Sequence, residues 1–315
     1  MKKRCALLYS GQPRDLKACY PNHKKMVIDA NPQWDMDIFA HIWHDEGENL
    51  TQDKVHNPCG FANDRDIVPF IREHWRAKGL ILEKPRRFTL KDERLLDDVW
   101  QSEQLTRREG FLLSDVASIV SNGLSQCYSL HQAYLLKTAY EEKRATSYDC
   151  VMRLRTDLYF RKPILLERYD LGCINVQELV HALPLFERRV RHISDIFAFG
   201  DNKHMGILCS LYPHVEDYLP LLCDDKRYSN ERTLMHHLLY VHKVRVVSSV
   251  GLLDMCLARY KEHFLGRSYD GHTSPLRVRM SKFWRFLKFK GRAWHHALLL
   301  AFKNMRNSLS RRVIE

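Results

Sequence analysis

The short apolar run over residues 4–9 stops abruptly at Ser10-Gly11-Gln12-Pro13. A run of that length bounded by turn residues reads as a buried strand followed by a tight loop. Apolar residues at Leu16, Cys19, Tyr20, Met26 and Val27 then predict a helix within 15–30. Asp35-Met36-Asp37-Ile38-Phe39-Ala40-His41-Ile42-Trp43 reads as a second strand. Parallel neighbours need a crossover of about a dozen residues or more, so strand–helix–strand at this spacing begins an α/β sheet with parallel strands.

The rest of the chain extends that pattern. Residues 44–64 are polar and read as a loop, 67–78 as a helix ended by Gly79, and 80–83 as a third strand. Residues 84–112 mix both charge signs without a clear period. Leu124, Cys127, Tyr128, His131, Leu135, Thr138 and Ala139 recur at spacings of three and four, which predicts a helix within 115–144. Tyr148 to Phe160 reads as one strand, with Cys150, Met152, Leu154 and Thr156 on one face and Val151, Arg153, Arg155 and Asp157 on the other. Further strands are expected at 173–176, 193–199 and 243–250, and further helices at 203–211 and 230–241. The expected fold is α/β, a mainly parallel central sheet flanked by helices, in one domain over 1–270 with a separate tail over 271–315.

Composition narrows the function classes. At 45% apolar and 28% charged the chain can fill a core, which excludes wholesale disorder. No run approaches the roughly 18 apolar residues of a spanning helix, and residues 5–9 fall short of a secretory leader. The nine cysteines show no Cys-x-x-Cys pair, so free thiols in a reducing cytosol are expected, with the Asn49 sequon unused. The net charge of +12 is concentrated: residues 277–315 hold eleven Lys or Arg against the single acid Glu315.

Four segments carry candidate chemistry. Gly11, Gln12 and Arg14 follow the first strand, where open α/β sheets bind ligands; Gly11 permits close backbone approach and Arg14 suits a phosphate. Neither a P-loop nor a three-glycine dinucleotide fingerprint is present. Arg153, Arg155 and Asp157 are costly to bury unless paired with each other or with a ligand. Asp195 stands in an apolar, strand-like segment, as a structural partner or as a base. Glu231 opens an apolar helix, either complementing its dipole or aimed into a cleft. The pairs His41/His44, His236-His237 and His295-His296 match no metal pattern and read as structural or surface residues.

Taken in order, the segments resemble a known family. They are Ser10-Gly11-Gln12-x-Arg14, Asp37-Ile38-Phe39-Ala40-His41-Ile42-Trp43, Ser125-Gln126-Cys127-Tyr128-Ser129 and Tyr148-Asp149-x-Val151-x-Arg153-x-Arg155-Thr156-Asp157. Asp195-x-Phe197-Ala198-Phe199-Gly200 and Asn230-Glu231-x-x-Leu234-x-x-His237-Leu238 complete the series. Over residues 4–250 this resembles bacterial and large-virus glycosyltransferases of surface-polysaccharide synthesis, with a GT-A-like fold. The resemblance implies a nucleotide-sugar donor held by Gly11, Gln12, Arg14, Gln126, Arg153, Arg155 and Asp157. It implies a glycan or lipid-linked acceptor, Asp195 or Glu231 as the base of an inverting transfer, and acceptor-side loops at 44–64 and 84–112. GT-A enzymes carry an Asp-x-Asp metal motif where Arg155-Thr156-Asp157 stands here. Asp157 alone can ligate Mg²⁺ or Mn²⁺; equally, Arg155 can replace much of the metal's charge.

The tail interleaves its cations with Phe283, Trp284, Phe286, Leu287, Phe289, Trp294 and the run 297–302. A basic amphipathic helix rich in Trp and Phe suits an anionic membrane surface. That places the expected enzyme in the cytoplasm, peripheral to the inner face of a membrane. The alternative is a non-catalytic protein that binds nucleic acid or membrane through this tail. The body has neither a basic excess nor a base-reading motif, so no nucleic-acid partner is expected.

Overall fold

Strand β1 (Lys3–Gly11) is buried on both faces and paired on both edges, and the other elements are arranged around it. The computed structural model describes residues 2–44, 67–92, 94–95, 113–177, 193–223, 229–251 and 254–257. All fall within one compact unit, Met1–Arg259. The residues around the sequon Asn49, most of the two expected acceptor-side loops, His295-His296 and the basic tail lie outside the described residues.

The strands are β1 (Lys3–Gly11), β2 (Trp34–Trp43), β3 (Gly79–Glu83), β4 (Cys150–Leu154), β5 (Leu158–Phe160), β6 (Ile174–Gln177), β7 (Phe197–Gly200), β8 (Val246–Val250) and β9 (Met255–Leu257). The α-helices are α1 (Leu16–His23), α2 (Ile67–Trp75), α3 (Leu113–Arg144), α4 (Asn202–Cys209), α5 (Val215–Cys223) and α6 (Asn230–Met235). Seven strands form one mixed sheet in the order β3-β2-β1-β4-β7-β6-β8, and β5 pairs with β9. The pairs β1/β2, β1/β4, β2/β3 and β6/β8 are parallel; β7 runs antiparallel to β4 and β6. This is an α/β protein with a mostly parallel sheet flanked by helices, compatible with a Rossmann-like arrangement.

Alternation along the strands builds two cores. Ala6, Leu8, Phe39, Trp43 and Val151 face α3, where they meet Val120, Leu124, Cys127 and Leu130. Cys5, Leu7, Tyr9, Ile38, Ala40, Ile42, Cys150 and Met152 face α1 and α2 and meet Leu16, Tyr20, Ile67, Ile71 and Trp75. A strand covered on both sides must be apolar almost throughout, which is why β1 reads as a continuous run. Each fully buried Leu or Ile contributes roughly 1.5–3 kcal/mol through removal from water.

Several expected boundaries move. The run 148–160 is two strands, because β4 ends at Leu154 and β5 joins a different sheet. Arg155, Thr156 and Asp157 therefore form the turn between them, and only Arg153 lies on the strand, on the face it shares with Val151 as expected. Asp195 precedes β7 instead of lying within a strand. The first helix stops at His23 and continues as a wider turn over Lys24–Ile28, with Pro21 inside it lacking a backbone donor. Gly79 opens β3 rather than capping α2. A side chain there would sit 3.0 Å from Leu136 Cβ and 3.2 Å from Phe39 Cδ1, so glycine admits α3 to the sheet. Helix α5 and strand β9 carry no clear local signal. Among the described residues, no helix is long and apolar enough to cross a membrane.

His23 ties α1 to the start of β5 and to β1. Its Nε2 donates to the Leu158 carbonyl at 2.6 Å, and Tyr9 OH donates to its Nδ1 at 3.1 Å. Burial pushes its pKa from 6.5 down to about 4. The folded protein thus refuses a proton that the unfolded chain accepts below about 6.5, so stability falls as pH drops from there toward 4. The expected loss from His23 is roughly 2 kcal/mol between about pH 7.5 and pH 5. Denaturant titrations at the two pH values measure it, and His23→Gln should flatten the slope. An unchanged slope in that variant would contradict the assignment.

Candidate functional site

The site follows from the strand order. The chain leaves β1 toward β2 and β3 on one side, while β4 lies on the other, so the carboxyl ends of β1 and β4 flank a crevice at a topological switch point. Each parallel strand delivers its following loop there: Gly11 to Arg14 after β1, and Arg155 to Asp157 after β4. Because β7 is antiparallel, with Phe197 opposite Leu154, the residues before it reach the same edge. Asp195 is among them.

The two loops are tied together. Thr156 Oγ1 donates to the Gln12 carbonyl at 2.6 Å, and Arg14 Nε donates to Gln12 Oε1 at 2.9 Å. Arg155 grips both oxygens of Asp157 through Nε and Nη2, each at 2.9 Å, and Arg14 Nη1 lies 3.9 Å from Asp157 Oδ2. The carboxylate is buried, at 4% side-chain exposure, whereas Arg14 and Arg155 retain 24% and 18%. One buried anion thus orients two partly open guanidiniums. Gly11 has φ of 108°, which disfavours any residue with a Cβ, and the space where that Cβ would stand is open.

A buried chain behind the loop fixes Gly11. The Gly11 N–H donates to Ser129 Oγ at 2.7 Å. Ser129 Oγ lies 2.9 Å from His41 Nδ1, and His41 Nε2 lies 2.9 Å from Glu83 Oε2. Burial lowers the His41 pKa against the pull of Glu83, favouring the neutral ring. A neutral ring that donates Nε2–H to Glu83 leaves Nδ1 as an acceptor, so the single Ser129 hydroxyl proton lies between Nδ1 at 2.9 Å and the His41 carbonyl, to which it donates at 3.1 Å. Burial alone would raise the Glu83 pKa, but the His41 and Tyr128 hydrogen bonds hold it below its ordinary value. With Ser129 and His41 both fully buried, this array serves as a strut for the loop. Sequence reasoning gave these residues no part in the site. Its signal lies in the pairing of two quoted segments, Phe39-Ala40-His41-Ile42-Trp43 and Gln126-Cys127-Tyr128-Ser129, on facing elements.

A second cluster adjoins the first. Gln126 Nε2 donates to Asp195 Oδ2 at 2.7 Å and to the Asp195 carbonyl at 3.2 Å. Asn230 Nδ2 donates to Gln126 Oε1 at 3.3 Å. Arg153 is 3% exposed, and its Nε is buried without a hydrogen-bond partner among the described residues. It lines a cavity of about 20 Å³ with Gln126, Cys127, Asp195, Cys209 and Asn230. Burial lowers the Arg153 pKa and the nearby Asp195 charge opposes that shift, so Asp195 serves as its counter-ion. Glu231 occupies the first turn of α6, half-buried, directly after Asn230; Ser229 caps that helix by accepting from Arg232 N at 3.3 Å.

The residues around Asp157 do not fit a divalent cation. Both carboxylate oxygens are engaged by Arg155, and a second guanidinium stands beside them, so a cation approaching one negative charge would meet two positive ones. Among the described residues, no three His, Cys, Asp or Glu side chains gather as a metal-binding group. The carboxylate expected as a metal ligand is here ion-paired with Arg155, with Arg14 beside it.

Compared with known protein families and curated proteins, the chain matches none.

Ser129→Ala removes the acceptor of the Gly11 N–H and the side-chain partner of His41 Nδ1, leaving the His41 ring buried. It should destabilise the fold by about 1–3 kcal/mol in a denaturant titration. A change below about 0.5 kcal/mol, the range of an unconnected surface substitution, would contradict the strut.

Proposed function

We propose that the protein is a glycosyltransferase with a GT-A-like fold that moves a sugar from a nucleotide-sugar donor to a hydroxyl of a glycan or lipid-linked acceptor. The observation that carries this reading is the convergence of the Gly11–Arg14 and Arg155–Asp157 loops at the β1/β4 switch point. There a glycine with open space at its Cβ position and two oriented guanidiniums lie where open α/β sheets bind nucleotides.

In the reaction, the bond from the anomeric carbon to the donor phosphate breaks, and a bond to the acceptor oxygen forms. Negative charge develops on the departing diphosphate, where Arg14 and Arg155 stabilise it without reorganising, because Asp157 and Gln12 already hold them. In an inverting displacement the acceptor hydroxyl passes its proton to a carboxylate as it attacks. Asp195 is the base in this reading. Gln126 holds its Oδ2 and leaves Oδ1 to take the proton, while the buried Arg153 charge anchors the group from behind. Glu231 stands one residue from Asn230, in position to hold the acceptor. The basic segment 277–315 is proposed to hold the enzyme at an anionic membrane surface, beside a lipid-linked acceptor.

The test is release of nucleoside diphosphate from a panel of nucleotide sugars, with glycan and lipid-linked acceptors supplied. Wild-type protein should turn over at least one donor. Asp195→Asn should lower kcat by about 10²–10⁴-fold with its circular dichroism unchanged. Turnover of no donor would refute the reading; full activity in Asp195→Asn would remove Asp195 from the base role.

A further inference from the structure

We infer that the site binds the donor's diphosphate through the guanidiniums of Arg14 and Arg155, anchored on Asp157, with no divalent cation between protein and phosphate. This inference rests on the nucleotide-sugar reading of the same site. A nucleotide sugar carries two negative charges on its diphosphate, and the two partly open guanidiniums match them. Arg155 is already committed to Asp157 by two hydrogen bonds of 2.9 Å, so its plane is fixed before ligand arrives. Arg14 is fixed by Gln12 at 2.9 Å and by Asp157 at 3.9 Å. Preorganised guanidiniums recognise phosphate oxygens in a bidentate manner and lose little freedom on binding.

Asp157 has a different task here from that of a metal ligand. Its side chain is only 4% exposed, and its carboxylate pairs with Arg155 and stands beside Arg14. The space over Gly11 lets the diphosphate approach the backbone directly, and the Thr156–Gln12 hydrogen bond keeps the two loops in register beneath it.

The experiment is calorimetric titration of the full chain with uridine, guanosine, adenosine, cytidine and thymidine diphosphates, in EDTA and in Mn²⁺. One diphosphate should bind with dissociation constants that agree within about threefold in the two buffers. Arg155→Met should weaken binding by at least about tenfold in both, since a hydrogen bond to a charged group is worth about 1.5–3 kcal/mol. Arg14→Met, at a more open position, provides the same test if the Arg155 variant does not fold. Arg155→Asp puts two carboxylates two residues apart and should make any remaining binding depend on Mn²⁺. Wild-type binding that needs Mn²⁺ would overturn the clamp and leave the nucleotide-sugar reading standing. Undiminished binding by a folded Arg155→Met or Arg14→Met variant in EDTA would overturn the clamp as well. Binding of no diphosphate in either buffer would overturn both.

Discussion

The double-sided burial of β1 is the constraint from which the other features follow. A strand with Ala6 and Leu8 on one face and Cys5, Leu7 and Tyr9 on the other requires a helical layer on each side. Its two edges require partners, and β2 and β4 supply them in parallel. Parallel pairing sends every return through a crossover, so the loops after β1 and β4 emerge side by side at one edge. Polar chemistry then collects at that edge, because the strand interiors have room for little besides apolar side chains. Arg153 and His41 are exceptions, and Arg153 lies near the carboxyl end of β4, within the field of Asp195.

Electrostatics within the site are organised from the inside outward. Asp157 is buried and surrounded by cations, so removing it would leave guanidiniums without their orienting partner rather than merely delete a charge. Gln126 does for Asp195 what Asp157 does for Arg155: it fixes one end of a group whose other end faces the crevice. The strut from Glu83 through His41 and Ser129 to Gly11 holds the remaining loop. Arg155 and Gly11 are thus each held by a more deeply buried group, Asp157 and Ser129, an arrangement of the kind preorganised charge stabilisation requires.

Much of this layout is legible in the residue order. The apolar run of β1 and its stop at Ser10-Gly11-Gln12-Pro13 locate the first loop, and three-and-four spacing locates α3. The alternation along 150–154 correctly puts Arg153 on the Val151 face, which the structure packs against α3. The break after Leu154 is not legible, because Arg-Thr-Asp-Leu-Tyr-Phe continues the strand pattern with no Gly or Pro before Pro163. What ends β4 is tertiary: the Thr156 hydroxyl meets the Gln12 carbonyl, and Asp157 turns back onto Arg155. The same limit hides the position of Asp195, whose flanking apolar residues mimic a strand. His41 reads as structural, as it is, but its partner Ser129 lies 88 residues away and is not legible locally. For the Asp157–Arg155 pair, the resemblance marks an Asp missing from the motif, and only geometry shows both carboxylate oxygens engaged.

The most direct measurement is hydrogen–deuterium exchange of the full chain, free and saturated with each nucleoside diphosphate in turn. A ligand seated over the β1 and β4 ends should slow exchange in residues 10–15 and 155–158 together, and leave the amides of α5 unchanged. Saturation without protection of those two loops, or with protection confined to another part of the sheet, would contradict a site at the switch point.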